Sequence, residues 1–452
     1  MTRIIRRPRV GLVAALVICA GMMRPAQAET PAPGRLEVGF EERVRSERWN
    51  NIIDHDAAKE DARTQDRFRS RLWVTWTPSE GLRIVAGVAN ENKKITHPDV
   101  AVNGREVFVE TLYADWRIAP RWSMKVGRQN LMRGEGFVLF DGSALDGSRS
   151  AYFNALDLAW SPGRSTLEFI AISDPGKDHY LPRINEASSP AEVQRLNEWD
   201  EQALGLYFTG REWSATTLEA YGFLKTETHD SRPVTNPQFQ PDRRVWTLGS
   251  RVVRGLGRGW TASGEFAWQW GSQQALPGTQ EAARDIAAWG GYARLRKAFE
   301  APGKPVLSLG YIGLSGDDPR TRRIEGWDPL FSRWPKWSEL TIYSQVPERG
   351  VAYATNTGMW EAEVRLTPAK NLDLRATWYR LAAFQAPGGA GPLFGTGTRR
   401  GDLWEFRGDQ ALDEHWKADV VYERLSPGAF YTGSTPGSYF RFEVTYATAV
   451  RL

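Results

Sequence analysis

Apolar and polar residues alternate along most of the chain from residue 36 onward, in segments of about ten residues. In the segment DRFRSRLWVTW, the side chains of Phe68, Leu72 and Trp76 fall on one face, and those of Arg69 and Arg71 fall on the other. The segments WTASGEFAWQW, MWEAEVRLT and HWKADVVYERL repeat this pattern. A period of two residues predicts β-strands with one apolar and one polar face.

The connections between these segments alternate in length. About eighteen candidate strands are joined by short links, such as TPSEG and TPAK, and by long links, such as 131–150, 174–201 and 315–354. Strict alternation of tight turns and long loops is typical of an outer-membrane barrel, whereas a β-sandwich or a propeller has no reason to sort its loops in this way. The chain is therefore predicted to be all-β. We expect a single transmembrane antiparallel β-barrel of about 18 strands, with short periplasmic turns and long extracellular loops.

The two faces of the predicted strands need different surroundings. The polar faces carry too many charges for the interior of a sandwich, and the apolar faces are rich in the chain's 20 Trp residues. Aromatic residues are enriched where a barrel meets the membrane interfaces. We therefore expect lipid outside the barrel and a water-facing lumen inside it.

Residues 1–28 have the features of a secretory signal peptide. A basic start precedes an apolar run at 10–23 and a small-residue site, Ala-Gln-Ala, at 26–28. We expect cleavage there, so that residues 29–452 form the barrel. The first 28 residues hold five Arg and no acidic residue, so the formal charge of +4 becomes −1 in the remainder. A basic surface for nucleic acid is therefore not expected.

The cysteine count excludes several classes of protein. The only Cys is Cys19, inside the predicted signal peptide. A disulfide scaffold and cysteine-based metal or catalytic sites are therefore excluded for residues 29–452. The five His have no zinc-ligand spacing, and no Ser nucleophile motif accompanies them. We expect no enzyme activity, no metal and no cofactor.

The segment GRQNLMRGEGFVLFDGSALDGSRSAYFN, at 127–154, is the richest in potential chemistry. A phosphate loop requires a helix after the glycines, which the strand pattern does not provide, and a calcium loop requires alternating ligands that are missing here. Two interpretations remain. The segment is a solvated loop with Gly-rich turns, or it folds into the lumen, where Arg128, Asp141, Asp146 and Arg149 pair across a constriction.

The same segment resembles the signature of the alginate-export family of outer-membrane barrels. WDPLFSRWPKWSELTIYS, at 327–344, resembles a second and rarer family segment, and HWKADVVYERLSPGAFY resembles the penultimate hairpin. The resemblance covers roughly residues 35–447. It implies an eighteen-stranded barrel and a pore lined by arginines and some carboxylates, through which an acidic polysaccharide leaves the cell. By motif position, Arg128, Asp141 and Asp146 match the family's charged pore loop. The chain departs from the usual aromatic terminus of barrels by ending in Leu452.

Charged residues on the polar faces are the candidate site. Arginine suits carboxylated sugars because its guanidinium stays charged and binds a carboxylate in two places. The alternative is that wall arginines only neutralise Glu110, Glu361, Glu363 or Asp373. Trp327, Trp334 and Trp337 either stack on sugar rings or pack the loop onto the wall, and packing is favoured. The predicted pore-lining or substrate-binding residues are Arg69, Arg71, Arg128, Asp141, Asp146, Arg149, Arg294, Arg296, Arg365 and Arg375.

These observations predict an outer-membrane channel for passive diffusion or export of an anionic or carbohydrate-like solute. The resemblance implies an alginate-type polysaccharide or a uronate. We expect a monomer in outer-membrane lipids, with periplasmic export proteins as further partners. The competing hypothesis is a non-conducting structural or adhesin-type barrel whose lumen is plugged by loops.

Overall fold

The structure is a computed structural model. It describes residues 33–100, 107–141, 152–176, 178–182, 184, 200–228, 241–275, 282–332, 336–340, 355–387 and 391–452. The predicted signal peptide, 1–28, lies outside the described residues.

The described chain folds into 21 strands. Their bounds are β1 Arg35–Asn50, β2 Arg63–Ser79, β3 Leu82–His97, β4 Asp99–Val100, β5 Val107–Ala119, β6 Trp122–Gln129, β7 Leu131–Met132, β8 Phe140–Asp141, β9 Phe153–Trp160, β10 Thr166–Asp174, β11 Asp200–Gly210, β12 Thr216–Thr228, β13 Arg243–Gly257, β14 Trp260–Gln273, β15 Arg284–Ala298, β16 Val306–Leu314, β17 Thr357–Ala369, β18 Leu372–Ala382, β19 Arg399–Ala411, β20 Trp416–Pro427 and β21 Gly437–Arg451.

Eighteen of these strands close into one antiparallel barrel. Each pairs with its neighbours in chain order, and β1 pairs with both β2 and β21, which completes the ring. The two-residue strands β4, β7 and β8 lie outside the ring. The predicted eighteen-stranded barrel is confirmed. No helix among the described residues is long and apolar enough to cross a membrane.

The connections are sorted by length as predicted. Four of the turns, at 80–81, 120–121, 258–259 and 370–371, contain only two residues, whereas the loops at the other end run to 42 residues in 315–356. Both ends of the barrel sequence lie at the turn end, where Glu37 pairs with Arg451. Three of the long loops are used below: L3 at 130–152, L4 at 175–199 and L7 at 315–356.

The strand register places the predicted faces as expected. Phe68, Leu72 and Trp76 of β2 are exposed on the outer surface, while Arg67 and Arg69, on either side of Phe68, are buried inside. Side chains alternate between the two faces along each strand, so one register accounts for both the apolar residues outside and the arginines inside. The large apolar cluster also lies inside the barrel, because parts of L3 and L7 fold into the lumen and pack on the inner wall.

Val74 tests this register. It lies on the outer face between Leu72 and Trp76, whereas Thr75 beside it points inward. Val74→Arg should lower the free energy of unfolding by about 1–2 kcal/mol, because the guanidinium would face hydrocarbon between the interface at Trp76 and the middle of the bilayer. Urea unfolding in lipid vesicles measures this. Thr75→Arg is the matched control and should cost far less, so equal costs at the two positions would show that the register is wrong.

Candidate functional site: the barrel lumen and its inner loops

The first half of L3 turns into the lumen. Leu131 and Met132 pair with Phe140 and Asp141 as a short hairpin, and Gly134 and Gly136 adopt positive φ angles of 59° and 74° at its bend. These angles favour glycine. The described part of L3 therefore follows the second interpretation of this segment, a loop folded into the lumen.

The segment of L7 that begins at Trp327 is held on the inner wall by buried polar contacts. The Asp328 carboxylate lies 3.1 Å from the Arg243 guanidinium. The Gln269 amide donates to the Asp328 carbonyl oxygen at 2.6 Å and accepts from its backbone N–H at 3.0 Å. Lys225 Nζ donates to the Leu330 carbonyl oxygen at 3.0 Å. All these side chains are buried, so removal of one partner would leave an uncompensated polar group.

Trp327 packs the same segment against the wall. Its ring stacks on Phe137 of L3 at a centroid distance of 5.2 Å and is 1% exposed. It also lies over Gly290 of β15, where a Cβ atom would come within 2.6 Å of the indole ring. The packing interpretation is therefore correct for Trp327, and Trp334 lies outside the described residues.

L3 and L7 also bond directly to each other. The Phe331 N–H donates to the Val138 carbonyl oxygen at 3.1 Å, and the Ser332 hydroxyl donates to the Gly136 carbonyl oxygen. Lys336 Nζ donates to the Glu135 carbonyl oxygen. Described parts of two of the segments that carry the family resemblance, almost 200 residues apart in sequence, thus form one assembly inside the barrel. We call residues 130–141, 324–332 and 336–340 the inner-loop assembly.

Charge ties this assembly to the wall. The Glu135 carboxylate lies 3.1 Å from Arg251 of β13 and 3.1 Å from Arg294 of β15. Burial alone would raise the pKa of Glu135, but Arg294, Lys336 and Arg251 outweigh it and lower the pKa. Burial lowers the pKa of the Lys336 ammonium to about 8, although nearby Glu135 and Glu265 favour its charged form.

A row of arginines crosses three adjacent strands on the lumen side. Arg365 of β17 lies directly opposite Arg375 of β18, which lies directly opposite Arg407 of β19. Their side chains keep 16%, 25% and 23% of their surface exposed, so they border open space in the lumen. Like charges directly opposite each other destabilise a sheet. The row therefore requires compensation from nearby carboxylates.

The compensation comes from a second row, two residues nearer the turn end. Asp373, Asp409 and Asp419 are directly opposite one another on β18, β19 and β20. The nitrogen–oxygen distances between the rows are 3.0 Å for Arg365–Asp373 and 3.9 Å for Arg375–Asp409. Arg407 lies 3.1 Å from Asp409 and 3.3 Å from Asp419. The lumen wall here carries alternating rows of opposite charge rather than a uniformly positive surface.

The other wall arginines predicted from sequence also lie inside the barrel, and three of them have carboxylate partners. Arg69 lies 2.7 Å from Glu41, and Arg71 pairs with Glu110. Arg294 lies 2.8 Å from Glu361. Arg296 lies on the inward face of β15, directly opposite Ser308. Neutralisation by wall carboxylates, the alternative raised by the sequence, therefore describes most of these positions.

Arg128 has different neighbours from those expected. Its guanidinium lies 2.7 Å from Asp178 of L4 and donates to the Asn154 side chain and to the Val109 carbonyl oxygen, each at 3.0 Å. In the register it lies opposite Leu112, which is exposed on the outer surface. None of these described contacts is with the inner-loop assembly.

The predicted partners of Arg128 within L3 are only partly described. Asp141 lies opposite Leu131 in the short hairpin, and the structure describes its backbone only. Asp146 and Arg149 lie outside the described residues. The pairing of these groups across a constriction stays a prediction.

Several site residues were not selected from the sequence. Arg251 and Arg407 lie on polar faces of alternating strands, so the same pattern could have identified them. Arg133 and Glu135 belong to the singled-out segment 127–154. Arg133 pairs with Asp157 and Glu168 of the wall. Lys336 belongs to the second family-like segment, 327–344, but no local pattern distinguishes it within that segment. Among the described residues, no group of His, Cys, Asp and Glu could hold a metal ion.

Comparison with known proteins agrees with this architecture. The model of the alginate export family matches residues 44–442. No curated protein matches the chain. The solved structure of outer membrane protein OprD from Pseudomonas aeruginosa is similar with a TM-score of 0.54 at 13% identity, covering 94% of this chain and 96% of that chain.

Two further solved structures show the same fold. OccAB2 from Acinetobacter baumannii has a TM-score of 0.55 at 11% identity and covers 92% of this chain and 98% of that chain. OccK2 (OpdF) from Pseudomonas aeruginosa, in complex with glucuronate, has a TM-score of 0.51 at 13% identity with the same coverages, 92% and 98%. At these identities the likeness concerns the fold: a closed barrel of the bacterial outer membrane.

Gly290 tests whether Trp327 holds L7 in the lumen. Gly290→Ala would place a methyl group within 2.6 Å of the indole and should displace it, at a cost of about 1–3 kcal/mol. We expect faster proteolysis within L7 and a larger single-channel conductance. Gly222→Ala is the matched control, since its nearest neighbour would be 3.8 Å away. Unchanged proteolysis and conductance in Gly290→Ala would contradict this role of Trp327.

The lowered pKa of Lys336 predicts that docking of L7 depends on pH. Its pKa of about 8 in the docked loop lies below the ordinary value of 10.5, so the undocked loop binds more protons between these values. Docking should therefore strengthen as pH rises through that window, and brief increases in single-channel conductance should become rarer. Lys336→Met should remove the dependence, whereas Lys304→Met, in an exposed turn, should retain it. An unchanged pH profile in Lys336→Met would refute the assignment.

Proposed function

Because the chain belongs to the alginate export family of outer-membrane barrels, we propose that this channel passes an anionic, carbohydrate-like solute, by passive diffusion or export, through its charged lumen. The solute class is a uronate or a polymer of uronates. The positions of the histidines also favour a channel over an enzyme, because they are scattered. Of the four described histidines, His55 and His179 lie in long loops, His97 ends β3 and His415 lies in a turn.

The row formed by Arg365, Arg375 and Arg407 is the observation that carries this proposal. Three guanidinium groups directly opposite one another do not help the sheet to form. They do provide several donors in a line along the wall, each able to grip a carboxylate in two places. Partial exposure of all three allows a solute carboxylate to reach them.

The neighbouring aspartate row suits transport rather than tight binding. A solute carboxylate must compete with Asp373, Asp409 and Asp419 for the same guanidinium groups, so each contact is only moderately favourable. Conduction requires binding sites that attract the solute strongly enough for it to enter the pore, but weakly enough for it to leave again. A chain of carboxylated sugars could therefore move from one arginine to the next.

The inner-loop assembly supports a second candidate function. L3 and L7 fill part of the lumen with buried apolar and charged contacts, as a plug would. A structural or adhesin-type barrel would use such contacts to close the lumen permanently. Ion conductance separates the two functions, because only the channel conducts.

The first experiment is single-channel recording of the refolded barrel in a planar bilayer, with the reversal potential measured under a salt gradient. Glucuronate and oligouronates are the blocking probes, since the fold neighbour OccK2 (OpdF) was solved with glucuronate. We expect open channels that these anions block in a concentration-dependent manner. A folded barrel with no conductance would refute the channel and leave the plugged barrel.

Arg375→Gln identifies the site of block. Loss of the central guanidinium should weaken block by uronates roughly 3- to 10-fold and shift the reversal potential toward cation selectivity. Arg380→Gln is the matched control: it lies five residues along the same strand, on the outer face, and should change neither quantity. Equal effects of the two substitutions would remove the arginine row from the conduction path.

A further inference from the structure

Three arginines lie on the outer face of the barrel near its long-loop end, although most of that face is apolar. They are Arg380 of β18, Arg424 of β20 and Arg48 of β1, and all three are exposed. The residues on either side of each arginine along its strand are buried inside the barrel. Alternation along the strands therefore sets the three guanidinium groups outside, apart from the charged lumen.

Each of these arginines is directly opposite an exposed aromatic residue of the preceding strand. The pairs are Trp360–Arg380, Trp404–Arg424 and Phe440–Arg48. The three aromatic side chains are 62%, 46% and 39% exposed on the outer surface. Aromatic residues of this kind mark the depth at which the surroundings of a barrel change from acyl chains to lipid headgroups.

Hydrogen-bonded rows climb away from the turn end in the order β18 to β1. The row that begins beside a turn at Leu372 crosses the next two strands and β21, and it reaches β1 at Val44. Val44 is nine residues beyond Arg35, where β1 begins. With strands about 4.8 Å apart and tilted by about 40°, crossing two strands along a row gains ~6 Å of height. Moving two residues toward the turn end loses ~5 Å.

The three arginines are related by this combination of steps. The row of Arg380 reaches β20 at Ser426, and Arg424 is two residues nearer the turn end. The row of Arg424 reaches β1 at Asn50, and Arg48 is again two residues nearer the turn end. The gain and the loss of height almost cancel, so the series is level to within about 2 Å, with neighbours about 12 Å apart.

Carboxylates of the protein do not neutralise this series. Within the described part of the chain, neither Arg48 nor Arg424 has an ion-pair partner. Arg380 lies 4.0 Å from Asp402, which Arg399 approaches more closely, at 2.5 Å. One aspartate thus serves two arginines, and the outer face keeps a net positive charge at this depth.

Other exposed cations near the long-loop end differ from the series. Arg244 of β13 is directly opposite Thr226 and Ser272, so it has no aromatic residue opposite it. The next step of the series, on β3, reaches Lys94, which is directly opposite Asp66. Among the described strands, the level arginine–aromatic pairs are therefore confined to one side of the barrel, from β17 to β1.

We propose that this series binds phosphate groups of the outer-leaflet glycolipid, namely those of the lipid A part of lipopolysaccharide. The long-loop end of such barrels is extracellular, so the arginines lie at the headgroup level of the outer leaflet. A guanidinium binds a phosphate through two parallel N–H donors. Lipid A carries a phosphate at each end of a disaccharide, and a spacing of about 12 Å allows one headgroup to reach two neighbouring arginines.

The wall below the series suits the acyl chains of the same lipid. Phe406, Tyr422 and Phe442 lie nearer the turn end on this face and are 46%, 38% and 47% exposed. The ring of Phe406 stacks on that of Tyr422 at a centroid distance of 6.5 Å, which forms a continuous apolar surface across two strands. One amphiphile would thus meet donors at its headgroup and aromatic rings along its chains.

This site is separate from the pathway of the solute. It depends on the outer face and on the position of the barrel in the outer membrane, whereas the arginine row of the lumen faces the opposite way. Loss of lipid binding would leave the channel proposal standing, and a non-conducting barrel would leave the lipid site standing.

Native mass spectrometry of the refolded barrel in detergent, with bisphosphorylated lipid A added, tests the site. Combining Arg48→Gln, Arg380→Gln and Arg424→Gln should weaken binding of lipid A roughly tenfold, since three exposed charge-assisted contacts are lost. The matched control combines the same change at three exposed arginines in short connections at the turn end and should retain the affinity. These control positions are Arg121, Arg211 and Arg258.

The lipid is varied as well as the protein. Lipid A without phosphates should bind the unsubstituted barrel no more tightly than bisphosphorylated lipid A binds the triple variant at positions 48, 380 and 424. Equal urea midpoints of all variants in phospholipid vesicles would show that the barrel stays folded. Equal affinities of the two triple variants, equal affinities for lipid A with and without phosphates, or equally tight binding of phosphatidylglycerol would each overturn the proposal.

Discussion

Closure of the sheet by pairing of β1 with β21 is the constraint on which the rest of the structure depends. In hydrocarbon, every backbone N–H and C=O group must bond within the protein, so a spanning sheet tolerates no open edge. The ladder from Glu37–Arg451 to Asn50–Ser438 removes the last edge. Once the ring is closed, strand alternation sends half the side chains into lipid and half into the lumen.

The charges of the lumen follow from that division. Inward positions cannot all be apolar in a barrel that holds water, and the resulting charges compensate one another in rows, as Arg375 does with Asp409. The inner-loop assembly uses the same chemistry to dock, through Glu135 with Arg251 and Arg294. Some of the lumen arginines thus hold the loop, and others, such as Arg375, border the open lumen.

Positions on the outer face should be apolar where they meet lipid, and Glu42 is an exception. A register that buries Arg43 inside the barrel necessarily presents Glu42 to lipid. Sequences violate local rules of this kind mainly at functional or strained positions. The Ser70 hydroxyl donates to Glu42 at 2.5 Å and so supplies a hydrogen bond that lipid cannot.

Local pattern determined much of this protein. The period of two residues and the loop lengths are local properties, so the sequence alone predicted eighteen strands, their turns and the inward face of Arg69, Arg365 and Arg375. The tertiary structure decided what alternation leaves open, namely the register between strands and the path of the loops. Only that register aligns Arg375 with Arg407, and only docking brings Lys336 to Glu135. The strand register and the docking of the loops both require the whole ring to close, and no single segment of the sequence specifies that closure.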